Sequence, residues 1–391
     1  MKSIALIGAN GHHDAVLDEL LEDGGFAFAG LAPATPEDNL DAVLRRQRVL
    51  CPESKSTDRQ TDRLTDRPTD RPTDRPTWTP APRVFATPEE LLDATHPDIA
   101  IVSARFDRLP YLSALAARHG CHVISEKPLA LDLPALDMLW KAVSDASVQC
   151  ATMLSNREQP VLAAALASIR RGDIGRVVLL NARKSYRWGT RPEWYGDRSL
   201  YGGTIPWIGI HALDFIQAAA EASPEQETAN YKPRTAKPRF ASVSARHVNL
   251  GHPDRPGCED VCLLDATLEG GVLASATLDY FRPACAPTHG DDWIRIVGTE
   301  GILEAAMERG TCTLLAPGSD SAPLPLAPRA PTHAAWLRSL PPRGTRSAPD
   351  AVTRRGFLLT QAALVAREAA DTNRVLDIPD APWLCKSYQT P

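Results

Sequence analysis

The apolar run of Cys121, Val123 and Ile124 ends in an acid, a base and a proline, Glu126-Lys127-Pro128. A charge at the end of a buried strand has to be paired or solvated. Lys127 is therefore either locked to Glu126 as a structural ion pair or held ready to exchange a proton. A second titratable pair falls in the apolar, helix-like run that opens at Gly202-Gly203. His211 and Asp214 stand there at i and i+3, on one face. A lone helical histidine is more often a satisfied core residue, so this pair takes its meaning from its company.

A third feature can hold a cofactor. "SIALIGANGHHDAVLDELL" (residues 3–21) reads strand, glycine turn, helix. That order presents free N–H groups and partial positive charge to a pyrophosphate. The G-x-G-x-x-G fingerprint appears as Gly8, Asn10 and His13. Asn10 tolerates left-handed backbone and Gly11 allows a close approach, whereas His13 at the packing position has no ready account. Gly8, Asn10, Gly11 and His12 are the expected contacts. The next strand ends Leu31-Ala32-Pro33-Ala34-Thr35, and Glu37 and Asp38 arrive late for the acid that grips a ribose. Thr35 is placed to donate to a 2′-phosphate, which leaves NAD and NADP both open.

The elements that must position these residues follow from periodicity. Over residues 1–155, apolar runs at Ile4–Gly8, Phe26–Leu31, Val84–Phe85, Asp98–Ser103, His122–Ser125 and Gln149–Leu154 alternate with helical patterns near 13–23, 36–46, 88–94, 107–119 and 132–145. Such alternation predicts a parallel, Rossmann-like sheet covered on both faces. Thr87-Pro88-Glu89-Glu90 carries the signals of a helix start. Within this region, at about 50–82, Thr-Asp-Arg recurs five times from Thr57 to Arg75 at a period of four. Its composition predicts a disordered insert, with a binding arm as the alternative.

From 156 to 330, strand-like runs near 176–187, 239–249, 260–268, 271–281, 292–298 and 301–306 follow one another, with Gly270-Gly271 at a hairpin position. They predict an α+β domain with an open, mostly antiparallel sheet. Residues 331–391 read as a Pro-rich connection, part of a stretch spanning 316–350, and a last helix over 351–371. Phe357, Leu358, Ala362 and Val365 form the stripe that packs that helix back on the body.

Taken together, "EKP", "GGTIPWIGIHALD", "NREQP" (156–160), "RGDIGRVV" (171–178) and "THGDDWIRIVGTEGILE" (288–304) resemble the glucose–fructose oxidoreductase / inositol dehydrogenase / MocA family across nearly the whole chain except the repeat. The resemblance implies a Rossmann domain, then an open antiparallel sheet, with nicotinamide lying in the cleft between them. It implies NAD(P)-dependent hydride transfer to or from a secondary alcohol of a sugar, polyol or cyclitol. Glu126, Lys127 and Pro128 then lie at the cofactor, often with a cis proline, and Lys127 shares the hydroxyl proton. His211 becomes the second catalytic residue. The acid that the family often carries four residues before that histidine is here Trp207.

"YRWGTRPEWYGDRSLYGG" (186–203) adds Tyr186, Trp188 and Arg191 as substrate contacts, with Trp207, His211 and Asp214. Aromatic rings in a loop suit sugar C–H faces, or equally a subunit interface. His289, Asp291 and Asp292 are further loop candidates. Two other readings stay open. One is a glycosidase that uses NAD transiently for oxidation and elimination. The other is a cofactor- or sugar-binding protein without turnover.

Composition narrows the partners. The chain has 391 residues, 43% hydrophobic, with net charge −5. Two domains are the default at this length, and no basic field is present to hold nucleic acid. No apolar stretch reaches the roughly 18 residues of a membrane span. Eight scattered cysteines without a CxxC pair predict reduced thiols in a cytoplasm and no structural metal. A dimer or tetramer is expected by family analogy.

Overall fold

Residues buried on both faces define the first sheet: Ile99–Val102 and His122–Ser125 have no exposed position, as parallel strands under helices require. The computed structural model describes residues 1–48, 82–224, 239–318, 321 and 323–384. The Thr-Asp-Arg repeat lies outside the described residues. The elements in chain order are β1 (Lys2–Ile7), α1 (His13–Asp23), β2 (Phe26–Ala32), α2 (Leu40–Arg48), β3 (Arg83–Val84), α3 (Pro88–Thr95), β4 (Ile99–Val102), α4 (Leu109–Arg118), β5 (His122–Ser125), α5 (Leu133–Asp145) and β6 (Cys150–Thr152). These strands make one parallel sheet in the order β3-β2-β1-β4-β5-β6. The order reverses between β1 and β4, and the crevice at the carboxyl ends there is where such sheets bind dinucleotides.

The second set comprises α6 (Pro160–Arg171), β7 (Val177–Tyr186), α7 (Arg198–Tyr201), α8 (Ile210–Ala222), β8 (Phe240–Val248), β9 (Val261–Leu268), β10 (Leu273–Asp279), β11 (Gly290–Gly298), β12 (Ile302–Ala306), β13 (Thr311–Leu315), α9 (His333–Ser339), α10 (Ala351–Thr372) and β14 (Leu376–Asp377). Its sheet runs β13-β12-β11-β7-β10-β9-β8-β14. All neighbours are antiparallel except β7 and β10. Gly270 and Gly271 take φ of 89° and 82° in the β9–β10 hairpin, backbone that only glycine adopts at little cost.

Two compact units emerge. One holds Met1–Glu126, Lys141–Met153 and His333–Pro349; the other holds Lys127–Trp140, Leu154–Thr332 and Asp350–Pro391. The stretch 316–350 is thus more than a surface connection. It contains α9, whose first N–H groups, from His333 and Ala334, donate to Glu19 Oε1 on α1 at 2.7 and 2.8 Å. Helix α2 starts later than its pattern predicts. Asp38 accepts from the N–H groups of Ala34 and Thr35 at 2.6 and 3.0 Å, which turns the chain before the helix can begin. On α10, Phe357, Ala362 and Val365 are buried as the stripe predicts, while Leu359 is fully buried and Leu358 only partly. Among the described residues no helix is long and apolar enough to cross a membrane.

Candidate functional site

The phosphate loop lies in the first unit and is shaped by two glycines. Gly8 has φ of 82°, and a Cβ on it would stand 2.6 Å from the carbonyl oxygen of Ser103, just past β4. Gly11 has φ of 102°, and a Cβ there would meet Glu126 Oε1 at 2.2 Å. Positive φ falls on Gly8 and Gly11, not on Asn10. Asn10 instead uses its amide, which donates to Asp38 Oδ1. Glu126 Oε1 accepts from the backbone N–H of His12 at 2.6 Å and lies 2.5 Å from its Nδ1. His13 is buried, with Nδ1 3.3 Å from the hydroxyl of Ser103. That contact accounts for a histidine at the packing position. The strand–turn–helix, the two glycines with no room for a side chain and the start of α1 fit a dinucleotide pyrophosphate.

The end of β2 is more acidic than its sequence order implies. Besides Asp38, which folds back onto Ala34 and Thr35, Glu37 is held below the usual carboxylate range, first by the hydroxyl of Thr35. Thr35 is thus engaged with two carboxylates, which leaves it a poor donor to a 2′-phosphate.

In the second unit, Lys127 opens the segment after Glu126, and its bond to Pro128 is cis. The side chain is 1% exposed. Its Nζ donates to the carbonyl of Trp207 at 2.8 Å and lies 2.9 Å from the centroid of that indole ring. The carbonyl belongs to a π-helical turn, Ile205–Gly209, which leads directly into α8. Such widened turns recur at functional sites. Trp207 therefore takes up the lysine itself, as a cation–π partner and through its backbone. His211 follows in the first turn of α8, with Nδ1 3.3 Å from the amide nitrogen of Asn156.

Asp214 stands elsewhere than its expected role. It is fully buried, and its Oδ1 accepts from Arg157 Nε at 2.6 Å. That oxygen is engaged in an ion pair, while Oδ2 is buried with no hydrogen-bond partner among the described residues. The loop aromatics also behave differently from the expectation of open platforms. Tyr195 and Tyr201 are buried and stack at 4.4 Å, and Trp188 stacks on His252 at 3.6 Å. The guanidinium of Arg191 sits 4.3 Å from the ring of Tyr280. Several of the rings thus satisfy one another, and Tyr186, Trp188, Arg191 and Trp194 are left half-buried.

Lys184, Asn156 and His252 were not singled out as site residues by sequence reasoning, and they join or neighbour residues that were. Lys184 on β7 is fully buried and paired with Asp292 across the β7–β11 register. Tyr186 donates to the same Asp292 oxygen at 3.3 Å, while Oδ1 of Asp292 is buried with no hydrogen-bond partner among the described residues. Burial, then Asp292, pushes the Tyr186 phenol well above its usual range. Burial, then Arg191, Arg187 and Arg282, lowers His289. His252 is oriented by Asp260 at 3.0 Å. Lys184 had a signal, a charge alternating into the buried face of β7; Asn156 stood in the quoted NREQP stretch without a role of its own, and His252 had no signal at sequence level. Burial also raises the Cys121 thiol to about 12 and the Cys312 thiol to about 11, which leaves both inert.

Comparison with known proteins agrees with this fold. The profile described as "GFO/IDH/MocA C-terminal domain" matches residues 162–304, and that described as "Oxidoreductase family, NAD-binding Rossmann fold" matches 40–153. A levoglucosan dehydrogenase of Pseudarthrobacter phenanthrenivorans is 29% identical over 111 residues, a match spanning 27% of this chain and 28% of that relative's length. A Thermotoga maritima protein assigned as an oxidoreductase superposes with a TM-score of 0.76 at 29% identity, covering 96% of this chain and 100% of its own. The WlbA dehydrogenase of Bordetella pertussis, solved with NADH and UDP-GlcNAcA, gives 0.65 at 16% identity over 97% and 99%. The chain belongs to the GFO/IDH/MocA family of NAD-binding oxidoreductases.

Proposed function

We propose that the protein is a dehydrogenase that moves hydride between nicotinamide and a secondary alcohol of a sugar, polyol or cyclitol, with Lys127, helped by His211, handling the proton. The observation that carries this reading is the buried side-chain nitrogen of Lys127, held at one fixed place by the carbonyl and ring of Trp207 just ahead of His211. Bound nicotinamide would supply the hydride acceptor or donor. The chain's own work is to place a proton carrier at the reacting hydroxyl, exclude water from it and bind the remaining hydroxyls. Asp292, Tyr186, Trp188 and Arg191 suit the last task. The names of the relatives favour a sugar, since one acts on levoglucosan and another was solved with UDP-GlcNAcA.

NAD is the preferred cofactor in this reading. Two carboxylates, Glu37 and Asp38, gather at the end of β2. Negative charge there accepts ribose hydroxyls and repels a 2′-phosphate.

The test is a screen of sugars and cyclitols for NADH formation, followed by Lys127→Ala. Loss of about 10²–10⁴-fold in kcat with the fold intact supports general acid–base work by the lysine. Unchanged turnover would remove Lys127 from the mechanism.

A further inference from the structure

His211 has an orienting neighbour that comes from a different element. Asn156 opens the turn after β6, and its amide nitrogen lies 3.3 Å from Nδ1 of the imidazole. Arg157, the next residue, fastens that turn to α8. Its Nε donates to Asp214 Oδ1 at 2.6 Å and its Nη1 to Glu221 Oε2 at 2.8 Å. Asp214 is three residues beyond His211, so the clamp grips the helix within one turn of the ring. Arg355 on α10 reinforces it: Nε lies 3.9 Å from the same Asp214 oxygen, and Nη2 donates to the carbonyl of Leu154 at 2.9 Å. Two guanidinium groups from separate elements converge on one buried carboxylate. The contact between Asn156 and His211 is therefore built into the packing of the turn.

An amide nitrogen donates and does not accept. Nδ1 of His211 then accepts, and the neutral ring carries its proton on Nε2. We infer that Asn156 is a positioning residue that fixes His211 in the Nε2–H form, so that the imidazole meets the substrate oxygen as a hydrogen-bond donor while Lys127 takes the proton. This rests on the hydride-transfer reading above. In the oxidation direction the hydroxyl proton would pass to the neutral amine of Lys127, and nicotinamide, when bound, would supply the acceptor for the carbon's hydride. The C–O single bond becomes C=O, and His211 keeps its own proton while steadying charge on the oxygen. Reduction runs the same transfers backward. A carboxylate in place of the amide would do the opposite, since it only accepts and would draw the ring proton to Nδ1.

The tautomer can be read without a known substrate. Full-length protein labelled with ¹⁵N-histidine is recorded in two-bond ¹H–¹⁵N correlation spectra, with the His211 signals assigned by their loss in His211→Asn. The expected wild-type pattern is a bare Nδ1 and a protonated Nε2. In Asn156→Asp the proton moves to Nδ1 or both nitrogens become protonated. A wild-type proton on Nδ1 overturns the inference, whether or not any variant folds. So does a wild-type Nε2–H pattern that persists unchanged in both Asn156→Asp and Asn156→Ala, because the tautomer would then owe nothing to the amide. NADH titration of the same samples, with the sugar screen, judges the hydride-transfer reading separately; its failure would leave the spectra unaffected.

Discussion

An indole in place of an acid changes what Lys127 can do. The ammonium lies 2.9 Å from the ring centroid of Trp207 and donates to that residue's carbonyl at 2.8 Å. The substitution Trp207→Asp trades the ring for a carboxylate next to the lysine. A nearby negative charge favours the ammonium and typically moves such an equilibrium by about 1–3 pH units. In the proposed mechanism alcohol oxidation needs the neutral amine, so the acidic limb of the kcat profile should move to higher pH, with the rate recovering in alkali. A limb that stays in place would show that some other group titrates there. Sequence reading singled out Lys127 from the charge at its strand end and His211 through the family resemblance. It could not reach Asn156 or the pairing of Asp214 with Arg157. Those contacts join residues more than fifty positions apart, and nothing in either local pattern announces the other. The same limit hid the mutual burial of Tyr195 and Tyr201 in the aromatic loop.

Helices and strands were legible wherever their own side chains decide them. Strands β4 and β5 are buried throughout, and α3 starts at Thr87, whose hydroxyl accepts from Glu90 N–H at 3.1 Å. Elements decided by distant partners were not. The start of α2 was missed because Asp38 ties the preceding turn, and α9 was missed because its amides are capped by Glu19 from α1. That cap is testable through pH. Burial alone would raise the Glu19 carboxyl, but bonds from His333 and Ala334 outweigh it and hold the group below its usual value. A depressed carboxylate stabilises the fold above the unfolded value, about pH 4.3, and loses that contribution as pH falls through its folded value. Glu19→Ala should therefore cost about 1–2 kcal/mol in urea unfolding at neutral pH, the usual worth of a lost cap. The difference from wild type should shrink in acid, below about pH 4. A penalty that is the same at all pH values would mean the carboxylate's charge plays no part.

The chain does not pass once from one compact unit to the next. Residues 333–349 return to the unit that begins at Met1, and 127–140 belong to the other. Fold class was readable in the sequence because it depends on the order of strand and helix patterns. This interleaving was not, because it is set by contacts such as Lys2 Nζ to the carbonyl of Leu340 at 3.1 Å. Cofactor choice is likewise a property of assembled pieces: Asn10, Ala34, Thr35 and Asp38 meet at the end of β2 although no local motif unites them. A ligand that binds only the folded state, present at a hundred times its Kd, stabilises by about 2.7 kcal/mol, or roughly 5–10 °C in Tm for domains of this size. NADH should produce a shift of that order, and NADPH at the same concentration a smaller one, because a 2′-phosphate would face the carboxylates of Asp38 and Glu37. Asp38→Asn keeps an oxygen for the amides of Ala34 and Thr35 while removing one charge, so the two shifts should converge in that variant. Equal shifts already in the wild type would mean that the acids at this strand end do not face the adenosine ribose, and the preference for NAD would fall with them.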